Sequence, residues 1–262
     1  MSSVQVAGFS VEYETYGSPA NPAVFMVHGL YLDHLAMATL ANRLTDAYYV
    51  VAHDALGHGR SAKPDSFTLA DQANVLNGLI DALKVRSCAV LGESMGSYIA
   101  MQAAFQNPAH IRRLILLAPK AYGPTSSISA YFESQGVDPA KLTVPALFDG
   151  LADVLWCPET LPERRRQIEA DMVPAIMLSK AEAAVVATSV SGFDLRAELP
   201  QIQAKTLVAT GKYDGLNPPE AGREVARLIP GARFELFEHS GHILKYEEQV
   251  KTGDLIRSFL DS

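Results

Sequence analysis

The chain has 262 residues, 48% of them hydrophobic and 19% charged, with a formal net charge of −7. That is enough apolar material for one sizeable α/β domain, and the acidic balance argues against a polyanionic partner. Two cysteines exclude a disulfide framework, no run approaches 18 uninterrupted apolar residues, and the opening Met-Ser-Ser-Val-Gln-Val lacks the features of a secretion signal. The expectation is a cytoplasmic protein with a small-molecule substrate, no nucleic-acid partner and no membrane span. The one basic run, Arg164-Arg165-Arg166, lies between Glu163 and Glu169 and reads as a solvated helix face.

In chain order, Val4 to Tyr16 alternates with a period near two and stops at Gly17-Ser18-Pro19, which predicts an antiparallel hairpin at a sheet edge. Val24 to Val27 is a short apolar run, followed by Met37, Leu40, Ala41 and Leu44 at helical spacing. Tyr48 to Ala52 is the next strand. Thr68 with Asp71 forms a capping-box signature ahead of the stripe Leu69, Ala73, Leu76, Ile80 and Leu83. Cys88 to Leu91 and Leu114 to Leu117 are strands separated by a helix that ends before Pro108. From Gly123 to about Val190 the strand pattern is absent, and helical segments such as Glu163 to Met172 and Ala175 to Val190 are punctuated by prolines. Strands return at Thr206 to Thr210 and Phe234 to Phe237, around a helix from Pro219 to Leu228, and a last helix spans Tyr246 to Leu260.

Apolar strands alternating with helices specify a mostly parallel central sheet with helices on both faces. The expected organisation is a core domain of residues 1–122 and 191–262, with residues 123–190 inserted as a helical lid.

Gly92-Glu-Ser-Met-Gly96 falls where the strand ending near Leu91 turns into an alanine-rich helix. At glycine usage of ~7%, G-x-S-x-G arises by chance in roughly one chain in ten of this length, so its weight rests on the strand–corner–helix context. A corner serine there projects its hydroxyl over the carboxyl edge of the sheet, where ligands of parallel sheets bind. The competing reading is an N-cap serine flanked by turn glycines. A serine nucleophile needs a base and an acid to orient it. Of the seven histidines, His242 follows the last strand in Ser240-Gly241-His242, where Gly241 would let the loop approach the serine; His239 competes with it. Asp214, after the strand Thr206 to Thr210, is the candidate acid, with Asp194 as the alternative. An acyl oxyanion also requires two fixed donors, which the backbone N–H groups of Leu30 and Met95 would provide.

With these residues in view, the chain resembles the α/β-hydrolase superfamily, in particular its small lid-bearing serine esterases and lactonases. The likeness rests on His28-Gly29-Leu30, Asp54-Ala-Leu-Gly-His-Gly-Arg-Ser61, Gly92-Glu-Ser-Met-Gly96, Gly211-x-x-Asp214 and Gly241-His242, in the order Ser, Asp, His. The resemblance implies Ser94 as nucleophile, His242 as base, Asp214 as its acid, and the Leu30 and Met95 amides as the oxyanion hole. It implies hydrolysis of a small or medium, mostly uncharged ester or lactone. Ser97, Lys205 and Glu93 depart from common choices in that family (glycine, proline, and histidine or glutamine). His28, Tyr131 and Trp156 are candidate pocket residues, although the aromatic pair equally suits fastening a lid to the core. His53 and His58 flank Asp54 without completing a metal cluster, so neither metal nor cofactor is expected. An acyltransferase, a C–C lyase, or a small-molecule receptor with a vestigial triad are the alternative functions.

Overall fold

In the computed structural model, which describes residues 1–262, the opening alternation closes as an antiparallel pair, β1 (Ser2–Val6) and β2 (Phe9–Tyr16). There follow β3 (Ala23–Val27), α1 (Leu35–Asn42), β4 (Tyr49–His53), α2 (Leu69–Ala82), β5 (Cys88–Glu93), α3 (Met95–Gln106) and β6 (Ile111–Leu117). The central sheet has 8 strands, completed by β9 (Lys205–Gly211) and β10 (Arg233–Phe237), in the order β1-β2-β4-β3-β5-β6-β9-β10. All neighbours from β4 to β10 run parallel, and the hairpin joins antiparallel through β2 and β4.

The continuous apolar runs are explained by cover on both faces. In β3, Phe25 and Val27 enter the cluster shared with α2 and α3, whereas Val24 and Met26 enter the one holding Met37, Leu40 and Phe259. The helices of that second face are α1 and the C-terminal α11 (Gln249–Leu260). The Thr68–Asp71 capping box forms as read, with Thr68 Oγ1 accepting from the Asp71 N–H.

Between β6 and β9 the chain departs as β7 (Tyr122–Gly123), passes through α4 (Ser127–Ser134), α5 (Val144–Gly150), α6 (Ala152–Leu155), α7 (Pro162–Asp171) and α8 (Lys180–Ser189), and returns as β8 (Phe193–Asp194). β7 and β8 pair antiparallel, tying the ends of this helical segment together. Two-residue strands carry no readable period, which is why the sequence reading lacks them. Two helix boundaries also differ from expectation. The segment expected from Ala175 becomes helical only at Lys180, behind a second capping box in which Ser179 and Glu182 satisfy each other's backbone N–H groups. The last helix breaks at Glu248, leaving α10 (Leu244–Glu247) apart from α11, because the Glu248 carboxylate is drawn back to Ser240 Oγ and the His239 N–H. The remaining helix, α9 (Pro219–Leu228), covers β9 and β10. No helix is long and apolar enough to cross a membrane.

Candidate active site

Ser94 sits between β5 and α3 with φ 51° and ψ −116°, a conformation that strains a residue bearing a Cβ. The flanking glycines make the corner possible. A Cβ on Gly92 would stand 2.1 Å from the Gly96 carbonyl oxygen, and one on Gly96 would stand 2.2 Å from that of Val27. By position Ser94 caps α3, yet its side chain makes no capping hydrogen bond. Its Oγ instead lies 2.9 Å from His242 Nε2.

His242 arrives from the loop after β10, and its Nδ1 lies 2.9 and 2.8 Å from the two carboxylate oxygens of Asp214. Asp214, just past β9, is fixed in turn by the N–H groups of Leu216 at 2.9 Å and Asn217 at 2.8 Å. A carboxylate can only accept, so Nδ1 carries the imidazole hydrogen and Nε2 faces Ser94 with its lone pair. Burial works against charge on His242. The Asp214 carboxylate outweighs it, holding the imidazole above its ordinary value of 6.5. Both competitors lie elsewhere: His239 is exposed and paired with Glu159, and Asp194 is exposed and paired with Arg196. The reason anticipated for Gly241 needs correction. Its missing side chain admits Leu155, whose carbonyl oxygen would be 2.2 Å from a Cβ, and the His242 N–H donates to that same oxygen at 2.8 Å. The glycine therefore docks the histidine loop against the helical segment rather than against the serine.

The loop after β3 passes close to the corner, with the Gly29 Cβ position 3.8 Å from Ser94 Cβ. The Leu30 N–H has no hydrogen-bond partner within the chain, and that of Met95 belongs to the unpaired first turn of α3. His28 does not join the cavity wall as expected. It is fully buried beneath the loop, with Nε2 accepting from the Ala55 N–H at 3.1 Å and Nδ1 donating to the Gly29 carbonyl at 2.8 Å. His58 does the same one layer away, accepting from the Tyr31 N–H at 3.2 Å and donating to Leu56 at 2.9 Å. Each ring can accept only when neutral, and burial lowers the two to about 4 and about 3. Together they brace the loop that presents Leu30. Asp33, His34 and Asp54 also converge within 4.8 Å, but their carboxylates are occupied by the N–H groups of Leu35, Ala175, His34 and Arg60.

Ser94 and His242 open into a cavity of about 40 Å³, in which 12 of 18 wall residues are hydrophobic and none is Lys or Arg. A second cavity of about 220 Å³ lies within the helical segment, and Phe148, Leu155 and Met172 form a wall common to both. Trp156 lines only the second cavity, and Tyr131 lines neither, packing edge-on against Phe132 instead. Among the cavity residues that sequence reasoning missed, three bear hydroxyls: Tyr98, one turn after the corner serine, and Ser126 and Ser127 at the start of α4. Their hydroxyls carry no motif.

Glu93, the residue before Ser94, also reaches the wall, and its carboxylate is paired with the ammonium group of Lys245. Both are buried, at 2% and 4% exposure, so neither charge has water to fall back on. Lys245→Met is expected to destabilise the protein by about 3–5 kcal/mol, because it strands a buried carboxylate. In urea unfolding, adding Glu93→Leu to Lys245→Met should recover most of that loss; a double variant as unstable as the single one would mean that the pair is not what holds this corner.

A mostly parallel sheet that sets a strained serine, a histidine and a carboxylate at its carboxyl edge defines a hydrolase-type α/β architecture. The chain belongs to the alpha/beta hydrolase fold family, whose model matches residues 22–249. Over 80% of its length it is 29% identical to a 2-hydroxymuconate semialdehyde hydrolase from Pseudomonas putida, covering 76% of that protein. Among solved structures, it is similar to an esterase from Exiguobacterium antarcticum (26% identity, TM-score 0.86, 99% of both chains). An enol-lactonase from Burkholderia xenovorans shares the fold at TM-score 0.89 and 23% identity, over 100% of both chains.

Proposed function

We propose that the protein is a serine hydrolase that cleaves a small or medium, mostly uncharged carboxylic ester or lactone through an acyl-enzyme on Ser94. The observation that carries this reading is the hydrogen-bonded chain Ser94 Oγ, His242 Nε2, His242 Nδ1 and Asp214. His242 takes the proton from Ser94 as the hydroxyl attacks the acyl carbon, and Asp214 stabilises the imidazolium that forms. The Leu30 and Met95 N–H groups receive the developing oxyanion. Residues 123–190 act as the lid, since Ser126, Ile128, Phe148 and Leu151 wall the cavity from above the sheet edge. A fluorophosphonate should label the parent protein at Ser94 and leave Ser94→Ala unlabelled. Labelling that survives the substitution would sink the assignment.

The cavity walls support the substrate class. With no cationic side chain to hold a second carboxylate, half-esters of dicarboxylic acids should be poor substrates. Along a series of p-nitrophenyl esters, kcat/KM should rise by up to about fourfold per methylene, the equivalent of ~0.8 kcal/mol, until the chain meets Phe148, Leu155 and Met172. Met172→Ala should move that break to longer chains by opening the common wall towards the larger cavity. A flat profile from acetate to decanoate would show that the cavity does not select by chain length.

A second reading, hydrolysis of a semialdehyde rather than an ester, draws on the likeness to the 2-hydroxymuconate semialdehyde hydrolase. Product analysis with 2-hydroxymuconate semialdehyde beside simple esters separates the two. An acyltransferase would instead pass the acyl group to an added alcohol or thiol, and a receptor would resist the fluorophosphonate.

A further inference from the structure

Tyr98 is nearly fully buried, lines the Ser94 cavity, and is held more tightly than packing alone requires. Its ring stacks on Phe193 with centroids 4.7 Å apart, and the Lys120 ammonium group lies 5.7 Å from its centroid. Its oxygen accepts from Asn217 Nδ2 at 2.7 Å. The orientation of that amide is determined by its neighbours. Nδ2 also lies 2.7 Å from the Ala118 carbonyl oxygen, which can only accept, so both N–H bonds are used there; Oδ1 is left to accept from Ser127 Oγ at 2.6 Å. The phenol is therefore fixed as an acceptor towards Asn217 and keeps its own hydrogen for donation. The Ser127 and Ser94 hydroxyls lie beside the phenol in the same cavity wall, and burial pushes it up to about 12. It is a neutral donor throughout the working range of a histidine base.

Its side of the serine is also defined. The Asn217 that holds the phenol donates its backbone N–H to Asp214, the partner of His242. Tyr98 is thus anchored to the loop that orients His242, whereas the Leu30 amide comes from the opposite loop after β3. On the His242 side the group to be stabilised is the oxygen that departs.

Resting on the serine-hydrolase reading above, we propose that the Tyr98 hydroxyl donates a hydrogen bond to the leaving-group oxygen of the substrate, with Asn217 as its positioning residue. As the tetrahedral intermediate collapses, the bond from carbon to that oxygen breaks and its electron pair goes to the oxygen. His242 delivers to it the proton taken from Ser94, the acyl group stays on Ser94, and the Tyr98 proton remains on the phenol. The contact strengthens as charge develops on the departing oxygen, so it favours the transition state over bound substrate. It matters most for alkoxides, which leave poorly, and least for nitrophenolate, which needs no help.

The test is the dependence of kcat/KM on leaving-group pKa for one acyl group, from p-nitrophenyl through phenyl to ethyl esters, in the parent, Ser94→Ala and Tyr98→Phe. The proposal expects Tyr98→Phe to lose less than about threefold on the nitrophenyl ester and about 10²-fold on the ethyl ester, mainly in kcat, a loss typical of removing one preorganised donor. A uniform loss across the series, or none, overturns it. Tyr98→Phe leaves Asn217 Nδ2 without one acceptor and folding can suffer, so a 3,5-difluorotyrosine at position 98 provides an isosteric second probe. Its more acidic phenol should bring the alkaline fall of ethyl-ester hydrolysis to lower pH and leave the acid limb, set by His242, in place. An unchanged alkaline limb overturns the proposal. If the parent shows no Ser94-dependent hydrolysis of any ester, the hydrolase reading itself fails and the Tyr98 role with it.

Discussion

Replacing Ser94 with alanine is expected to reduce kcat for ester hydrolysis by on the order of 10⁴-fold or more, because nucleophile, base and acid act as one unit. The same substitution should leave the fold in place. Position 94 already has φ 51°, so alanine inherits the strain that serine bears there rather than adding to it. Gly92 and Gly96, whose missing side chains create the corner, are untouched. One hydrogen bond is lost, that of the Ser94 hydroxyl to His242 Nε2, and water in the cavity can replace it for a cost of about 1 kcal/mol. Steady-state rates and thermal unfolding on the same preparation separate the two effects. Activity within tenfold of the parent would remove Ser94 from the mechanism, whereas a collapse of the unfolding midpoint would mean that the serine holds the corner together.

The parts of the fold that were legible are those where the chain repeats a physical signal. β3, β5 and β9 are buried on both faces and therefore read as apolar runs (in β9 only Leu207 to Ala209, between two threonines), while Thr68–Asp71 announces α2 by satisfying its own first turn. Ser94, Asp214 and His242 could be read for the same reason. Each follows a strand whose end is visible in the sequence, and parallel strands bring those ends to one edge.

What stayed hidden depends on contacts between distant segments. His28 and His58 resemble pocket or metal histidines in sequence. Only the neighbouring Ala55 and Tyr31 N–H groups reveal them as neutral acceptors bracing a loop. Glu93 stands out as an unusual neighbour for a corner serine, but Lys245, which accounts for it, comes from the far end of the chain. In the segment from 123 to 190, Trp156 and Tyr131 are alike in composition, and the packing of short helices sends one to a cavity and the other to Phe132. Gly241 shows the same limit: the need for a small residue is readable, but the surface it approaches is not.

Asp214→Asn should be nearly as damaging as loss of the serine, with kcat falling by about 10⁴, because it puts the imidazole in the wrong tautomer. The geometry makes the outcome specific. Asp214 Oδ1 accepts from the N–H groups of both Leu216 and Asn217, so the carbonyl of an introduced asparagine must stay on that side. Its NH₂ then takes the place of Oδ2, 2.8 Å from His242 Nδ1 and nearer than the carbonyl oxygen at 2.9 Å, and donates where the carboxylate accepted. Nδ1 becomes an acceptor, the ring hydrogen moves to Nε2, and Ser94 faces a donor that cannot take its proton. The pH profile should move as well. In the parent, burial opposes the charge on His242 but Asp214 outweighs it, so kcat/KM should rise with pH through a value above 6.5 as the base becomes neutral. Without that carboxylate burial is opposed only by the charge of Glu93, which Lys245 counters, and the acid limb of the residual activity should shift to lower pH. Asp194→Asn is the control, since it alters an exposed carboxylate paired with Arg196. Equal damage from the two substitutions, or an acid limb unmoved by Asp214→Asn, would show that Asp214 does not orient the base.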